Sequence, residues 1–311
     1  MNLRFVEAFY WVASLKSISR AAEKLFLTQS AMSSRISTLE EELGVLLLDR
    51  RDRQFKLTVV GARFLIYAQK LLELQREVKA EMGSGVSMAM SMRIGAIESV
   101  LHSWLIPWLE KLRADHPGLE LELTVETTPI LIDQMQRGTL DLVFAVMPVS
   151  ADGVRTHALP TMDMAFVGNP DVHKKRNYKF PELAGMELLT FQKGSQPHVT
   201  LLDLFRMHRM EPKKMHAISS ISAMVQLVQG GFGVALLPRA VFERLTGFAR
   251  LKQLICDAKL PSLPIHASYR TDPGSKAVET VVQSAIAFAE GRKNAPKKYP
   301  KSTKKMDQGK P

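Results

Sequence analysis

At 311 residues, 46% of them hydrophobic, the chain has enough apolar sequence for two or three packed units that need no disulfides. Its single cysteine, Cys256, fits a reducing compartment and excludes a switch built on an intramolecular disulfide. The net charge of +11 invites a nucleic-acid partner, but eight Lys and Arg against Asp307 alone put +7 of it after residue 291, so net charge does not carry that reading.

In chain order, Phe5, Val6, Phe9, Val12 and Ala13 predict a first amphipathic helix. Ile18, Ala21, Ala22 and Leu25 predict a second, whose small residues allow another helix to approach closely. Phe26 and Leu27 break the pattern, and Thr28 is placed to cap a third helix. That helix buries Met32, Ile36, Leu39 and Leu43 on one stripe and presents Ser30, Ser33, Ser34 and Ser37 opposite, with Gln29 at its start. Short side chains that both donate and accept suit a helix laid in the major groove. A serine-rich contact between domains would show the same pattern. Gly44 then stands where a glycine would end the helix. After Val45 to Leu48 comes a basic run of Arg50, Arg51, Arg53 and Lys56, which reads as a hairpin wing meeting the sugar-phosphate backbone. The candidate DNA-contacting residues are therefore Thr28, Gln29, Ser30, Ser33, Ser34, Arg35, Arg50, Arg51, Arg53 and Lys56.

Here the sequence resembles the LysR-type transcriptional regulators. Ser19, Ala21, Ala22, Leu25, Thr28, Gln29, Ala31, Ser33, Ile36, Leu39, Glu40, Glu42, Leu43, Gly44, Leu47, Arg50, Leu57, Thr58 and Gly61 fall at that family's N-terminal spacing. The resemblance covers Met1 to about Gly291. It implies a winged helix-turn-helix over 1–58, a linker helix and a two-lobed α/β effector domain like the type II periplasmic binding proteins. Ser30 departs from the family's proline, and Ser34-Arg35 from its basic residue and glutamine. Both lie on the DNA-facing side, so no operator sequence carries over.

From Val59 to about Met82 the spacing predicts one long helix whose stripe, Phe64, Ala68, Leu71, Leu74 and Val78, is narrow for a domain core. It reads as a dimer contact, with a helix lying on its own domain as the alternative. Gly83-Ser84-Gly85 reads as a hinge, closing a linker unit of 59–85. Strand and helix then alternate through 86–291. Met92–Ile97, Leu119–Thr127 and Leu140–Val146 read as strands, with helices at Val100–Ala114 and Ile130–Arg137 between them, which is a parallel βαβαβ unit. We divide this region into lobe I, about 90–150 and 266–291, and lobe II, about 151–265, with the first crossing at Val146–Met147. The basic tail, 292–311, reads as disordered.

Ligands of open α/β sheets sit beyond the carboxyl ends of strands. Those ends name Ser99, His102, Thr127, Thr128, Met147, Gln192, Ser195, Gln196, His198 and Ser222 as the effector candidates. Ser99, Thr128 and the Gln192–His198 loop also match positions where the family contacts effectors. Hydroxyls at helix N-termini favour a small organic anion; ordinary helix capping would place the same residues there.

No GxSxG, HExxH, CxxC or P-loop occurs, and His198, His208 and His216 lack the spacing of a metal set. Gly230 to Gly233 follows a helix and precedes a strand, so it reads as a turn. No enzyme activity and no cofactor are expected. The first 25 residues lack a signal peptide's apolar core and no run spans a membrane, so the expected location is cytoplasmic. The expected partners are double-stranded DNA, the effector, a second copy (as dimer or tetramer) and RNA polymerase. A cytosolic small-molecule binder whose first domain only dimerises is the competing reading.

Overall fold

The structure, a computed structural model, describes residues 1–49, 55–82, 90–245, 250–271 and 275–293. The head begins with α1 (Leu3–Leu15), α2 (Ile18–Lys24) and α3 (Gln29–Leu43), each started by a side chain at its N-cap: Asn2, Ser17 and Thr28. Phe26 turns the chain between α2 and α3 with φ 52°, and its ring is exposed. Gly44 ends α3 in the left-handed region, at φ 66°, where a side chain would be strained. Ala21 and Ala22 are buried against α3, and Met32, Ile36 and Leu39 close the core with Val6, Phe9 and Val12.

The short strands β1 (Leu48–Asp49) and β2 (Lys56–Leu57) pair antiparallel as the base of a wing. Its tip, with Arg50, Arg51 and Arg53, lies outside the described residues. The long helix α4 (Val59–Met82) follows, started by Thr58, whose hydroxyl donates to Leu46 O and accepts from the Gly61 amide.

The remainder folds as two sheets. β3 (Met90–Ala96) runs into α5 (Glu98–Val100), a π-helical turn at Leu101–Leu105 and α6 (Ile106–Asp115). β4 (Leu119–Val125), α7 (Thr128–Gln136) and β5 (Leu142–Ala145) complete the parallel unit. Then comes β6 (Val154–Met162), and after Asp163 the chain enters the second sheet with β7 (Met164–Gly168). There follow β8 (Asn177–Tyr178), α8 (Phe180–Ala184), β9 (Glu187–Thr190), α9 (Gln196–Met207), β10 (Lys214–Ala217), α10 (Ile221–Gln229), β11 (Val234–Pro238), α11 (Arg239–Leu245) and β12 (Lys252–Cys256). β13 (Leu263–Arg270) returns to the first sheet, and α12 (Ser275–Lys293) packs on it.

Lobe I is ordered β4-β3-β5-β13-β6 and lobe II β10-β9-β11-β7-β12-β8. Lobe I has one core, built on Trp104, Trp108 and Phe144. Lobe II has a core on each face of its sheet, one under α8 and α9 and one under α10 and α11.

The expected lobe boundary needs correction. Residues 154–162 belong to lobe I, because β6 pairs antiparallel with β13 from Val154 opposite Arg270 to Met162 opposite Leu263. The chain therefore first crosses at Asp163, not at Val146–Met147. Pro160 sits within β6, which is tolerable because β6 is an edge strand. β4, the other edge, exposes both faces over much of its length instead of alternating.

Candidate functional site

The first site is the outer face of α3. Its apolar stripe is spent inward, with Met32, Ile36 and Leu39 at most 1% exposed. Thr28, Gln29, Ser30 and Ser34 are exposed, while Ser33 and Arg35 are half-buried. The Thr28 hydroxyl caps the helix through the Ala31 amide and lies 3.0 Å from Ser30 Oγ, so the start of α3 carries a small hydroxyl cluster. Lys56 stands exposed at the wing's base, opposite Asp49. The structure thus brings Thr28 to Arg35 and Lys56 onto the head's surface.

The stripe on α4 divides. Ala68 and Leu72 are buried in the head's own core and Phe64 packs on Phe9 at 5.3 Å, so the first half of α4 lies on its own domain. Leu74 and Val78 are about half exposed farther along, and Leu71 is half-buried. Tyr67, absent from the sequence-based set, is 62% exposed and extends the Leu71, Leu74, Val78 row at spacings of four, three and four. The signal was in the sequence, one residue off the stripe that begins at Phe64.

The second site is the cleft between the lobes. Ser99 is buried in α5, and Thr127 and Ser195 stand at the N-cap positions of α7 and α9. Neither hydroxyl caps its helix, and Ser195 Oγ is buried without a partner. Thr128 is half-buried in the first turn of α7; Gln192 and Met147 are exposed. Gln196 hydrogen-bonds Thr200 one turn along its own helix, at 3.3 Å. His198 is buried with Nδ1 unpartnered, and burial, with the Lys193 charge, pushes its pKa down.

Two residues were missed. Ser220, not Ser222, caps α10, and Glu98 reaches it from the opposite lobe. The Glu98 carboxylate accepts from the Ile221 amide at 2.8 Å and from the Ser220 hydroxyl at 3.3 Å, and lies 3.5 Å from His102 Nε2. Burial raises its pKa, but His102, the Ile221 amide and Ser220 together outweigh burial and hold the carboxyl below its usual range. A charged residue directly before Ser99, four before His102, was the available clue. Ser222 is exposed in the first turn of α10.

Among the described residues no group of three or more His, Cys, Asp and Glu could hold a metal ion. No described helix is long and apolar enough to cross a membrane.

Two family models match: the bacterial regulatory helix-turn-helix protein of the lysR family over residues 3–62, and the LysR substrate binding domain over 87–289. A probable hydrogen peroxide-inducible genes activator of Mycobacterium avium is 30% identical over 276 residues, covering 86% of this chain and 88% of that protein. Full-length LysG of Corynebacterium glutamicum with bound effector arginine is similar in structure, at TM-score 0.60 and 20% identity, over 94% of this chain and 99% of that one. Full-length CbnR in complex with its target DNA superposes at TM-score 0.53 and 21% identity, covering 92% and 100%.

Proposed function

We propose a working arrangement for this chain, which belongs to the LysR family of DNA-binding transcriptional regulators with an effector-binding domain. The recognition helix α3 enters the major groove through Gln29, Ser30, Ser33 and Ser34, with Thr28, Arg35 and the wing residues Arg50, Arg51, Arg53 and Lys56 on the flanking phosphates. Two copies join along the row from Tyr67 to Val78, which spaces their heads for two half-sites. The protein works in the cytoplasm and catalyses no reaction.

The effector is a small organic anion held in the cleft. Thr127 and Thr128 on lobe I and Ser195 on lobe II offer hydroxyls beside the free amides of the α7 and α9 N-termini. Glu98 keeps the α10 terminus occupied, which leaves those two for the ligand. Binding changes the angle between the lobes only to the extent that the ligand prefers one angle.

The observation that carries the DNA reading is the largely exposed polar face of α3 opposite the buried Met32, Ile36 and Leu39. Footprinting on DNA upstream of the chain's own and adjacent genes tests it, at near-physiological salt because weak low-salt binding says little about sequence. Protected paired half-sites that vanish in Ser34→Glu, with the melting temperature unchanged, are expected. Protection by the variant equal to wild type would overturn the groove placement.

A further inference from the structure

The head does not hang from its linker alone; it is docked on lobe I. Lys24 Nζ of α2 meets Asp141 Oδ1 at 3.1 Å, and Asp141 also takes Arg93 Nη2 at 2.7 Å and Nε at 3.1 Å. Trp11 of α1 has two cations against its ring: Lys24 Nζ is 4.6 Å from its centre and the Arg270 guanidinium 5.3 Å. Both partners of the Lys24–Asp141 pair are largely withdrawn from water, with side chains 10% and 19% exposed. Arg270 is 3% exposed. Beside them the Leu15 side chain rests on Gly138, where a Cβ would come within 3.1 Å of it, and Lys16 pairs with Asp152 at the rim.

These contacts sit at one level of the lobe I sheet. Arg93 is in β3, Asp141 directly precedes β5 and Arg270 ends β13, its amide bonded to Asp141 O. The same three strands reach the cleft at their other ends, through Glu98 and Ser99 after β3, Val146 after β5 and His266 in β13, whose ring bonds Val146 O. Four to five residues, at ~3.3 Å each, put the cleft roughly 13–17 Å from the docked head. A hydrogen-bonded sheet of that depth transmits displacement without bending much.

We propose that the head and lobe I move as one body, clamped through Lys24, Asp141 and Trp11, so that a change at the cleft reaches the DNA through this surface rather than through the linker helix. The proposal rests on the regulator reading above for its purpose, but its contact stands apart from it. A head free on its linker would rotate independently of lobe I, and the cleft would have nothing to steer.

The docked state is tested on the full chain by zero-length carbodiimide coupling, which joins an amine to a carboxylate only in direct contact. Mixing unlabelled and nitrogen-15-labelled protein separates links within a chain from links between chains. A Lys16–Asp152 linkage within single-label chains is expected; its absence, or its occurrence only between labels, overturns the docking. Calorimetry gives a second reading: Lys24→Glu sets a carboxylate against Asp141 and should split off a lower head transition, with Lys24→Met between it and wild type. An unchanged thermogram in Lys24→Glu overturns the clamp.

Coupling is read from the footprint. Glu98→Ala loosens the cleft and should alter half-site protection in the wild-type background but not alongside Lys24→Glu. The same footprint response in both backgrounds, no response included, overturns the coupling. If wild-type protein protects no upstream DNA, the groove reading fails, while the cross-link still decides the docking.

Discussion

Glu40 is 5% exposed, an unusual place for a carboxylate on a helix whose outer face is polar and open to water. Its Oε1 accepts the amides of Leu47 and Leu48 at 2.8 and 3.0 Å, and so fixes the path of the chain from α3 into the wing. Glu40→Ala leaves two buried donors without an acceptor and should cost about 2–4 kcal/mol, read as a lower urea midpoint; stability equal to wild type would mean other groups satisfy those amides. The position was legible as part of the family's pattern, but its role was not, because a charge on a helix ordinarily signals a solvated face. Gly61 is similar: the pattern named it, and the structure supplies the reason. A Cβ there would fall 2.0 Å from Leu47 O, so α4 can cross the wing's root only at a glycine. Thr128 is the residue on which the effector reading turns. Thr128→Val keeps its shape and removes a donor and an acceptor, so the affinity of a carboxylate effector should fall by about 1 kcal/mol or more, measured by calorimetry; no change would leave Thr128 a helix residue only.

At the scale of elements, helices with a cap and an inward stripe were readable to within a residue or two. Thr28, Gly44, Val59 and Met82 stand as terminal or capping residues of α3 and α4, where capping chemistry and 3.6-residue periodicity agree. β6 was not readable as a lobe I strand. Its partner β13 lies about a hundred residues later, and neither Pro160 nor the weak alternation of 154–162 says which sheet it joins. The stripe on α4 was half readable: periodicity finds an apolar face but cannot say whether a neighbour in the same chain already covers it. Phe64 and Ala68 face their own head, whereas Tyr67, Leu74 and Val78 remain open. Leu74→Glu puts a charge into the open part of the row without touching the head's core. It should shift sedimentation equilibrium toward monomer, by tenfold or more in the association constant; a dimer unchanged in mass and affinity would place the contact elsewhere.

For the whole molecule, the Glu98 carboxylate ties the cleft's two walls, and that tie depends on pH. Burial raises the Glu98 pKa, but His102 on its own lobe, with the Ile221 amide and the Ser220 hydroxyl across the cleft, holds it below the usual 4.5 in the folded protein. A carboxyl with a depressed folded pKa adds stability that is fully present above its unfolded pKa and is lost as pH falls through the folded value. The lobes should therefore hold together at neutral pH and loosen below about pH 4.5, seen as rising hydrogen exchange at the start of α10. Glu98→Gln should exchange faster at neutral pH and show little of that acid limb. An acid limb identical in the variant would assign the loosening to another carboxylate, with Asp141 the first to examine because it too titrates below its usual range.

The two crossings between lobes lie side by side, with Ser262 Oγ on one donating to Asp163 Oδ1 on the other at 2.9 Å. A body pinned at two adjacent points turns about one line. Rotation about that line is then the easiest relative motion of the lobes, and ligands of different size stop the swing at different places along that arc. Selectivity among effectors then lies in how far the arc is travelled and how often, a scalar that DNA bound to two heads can read as nothing more elaborate than spacing.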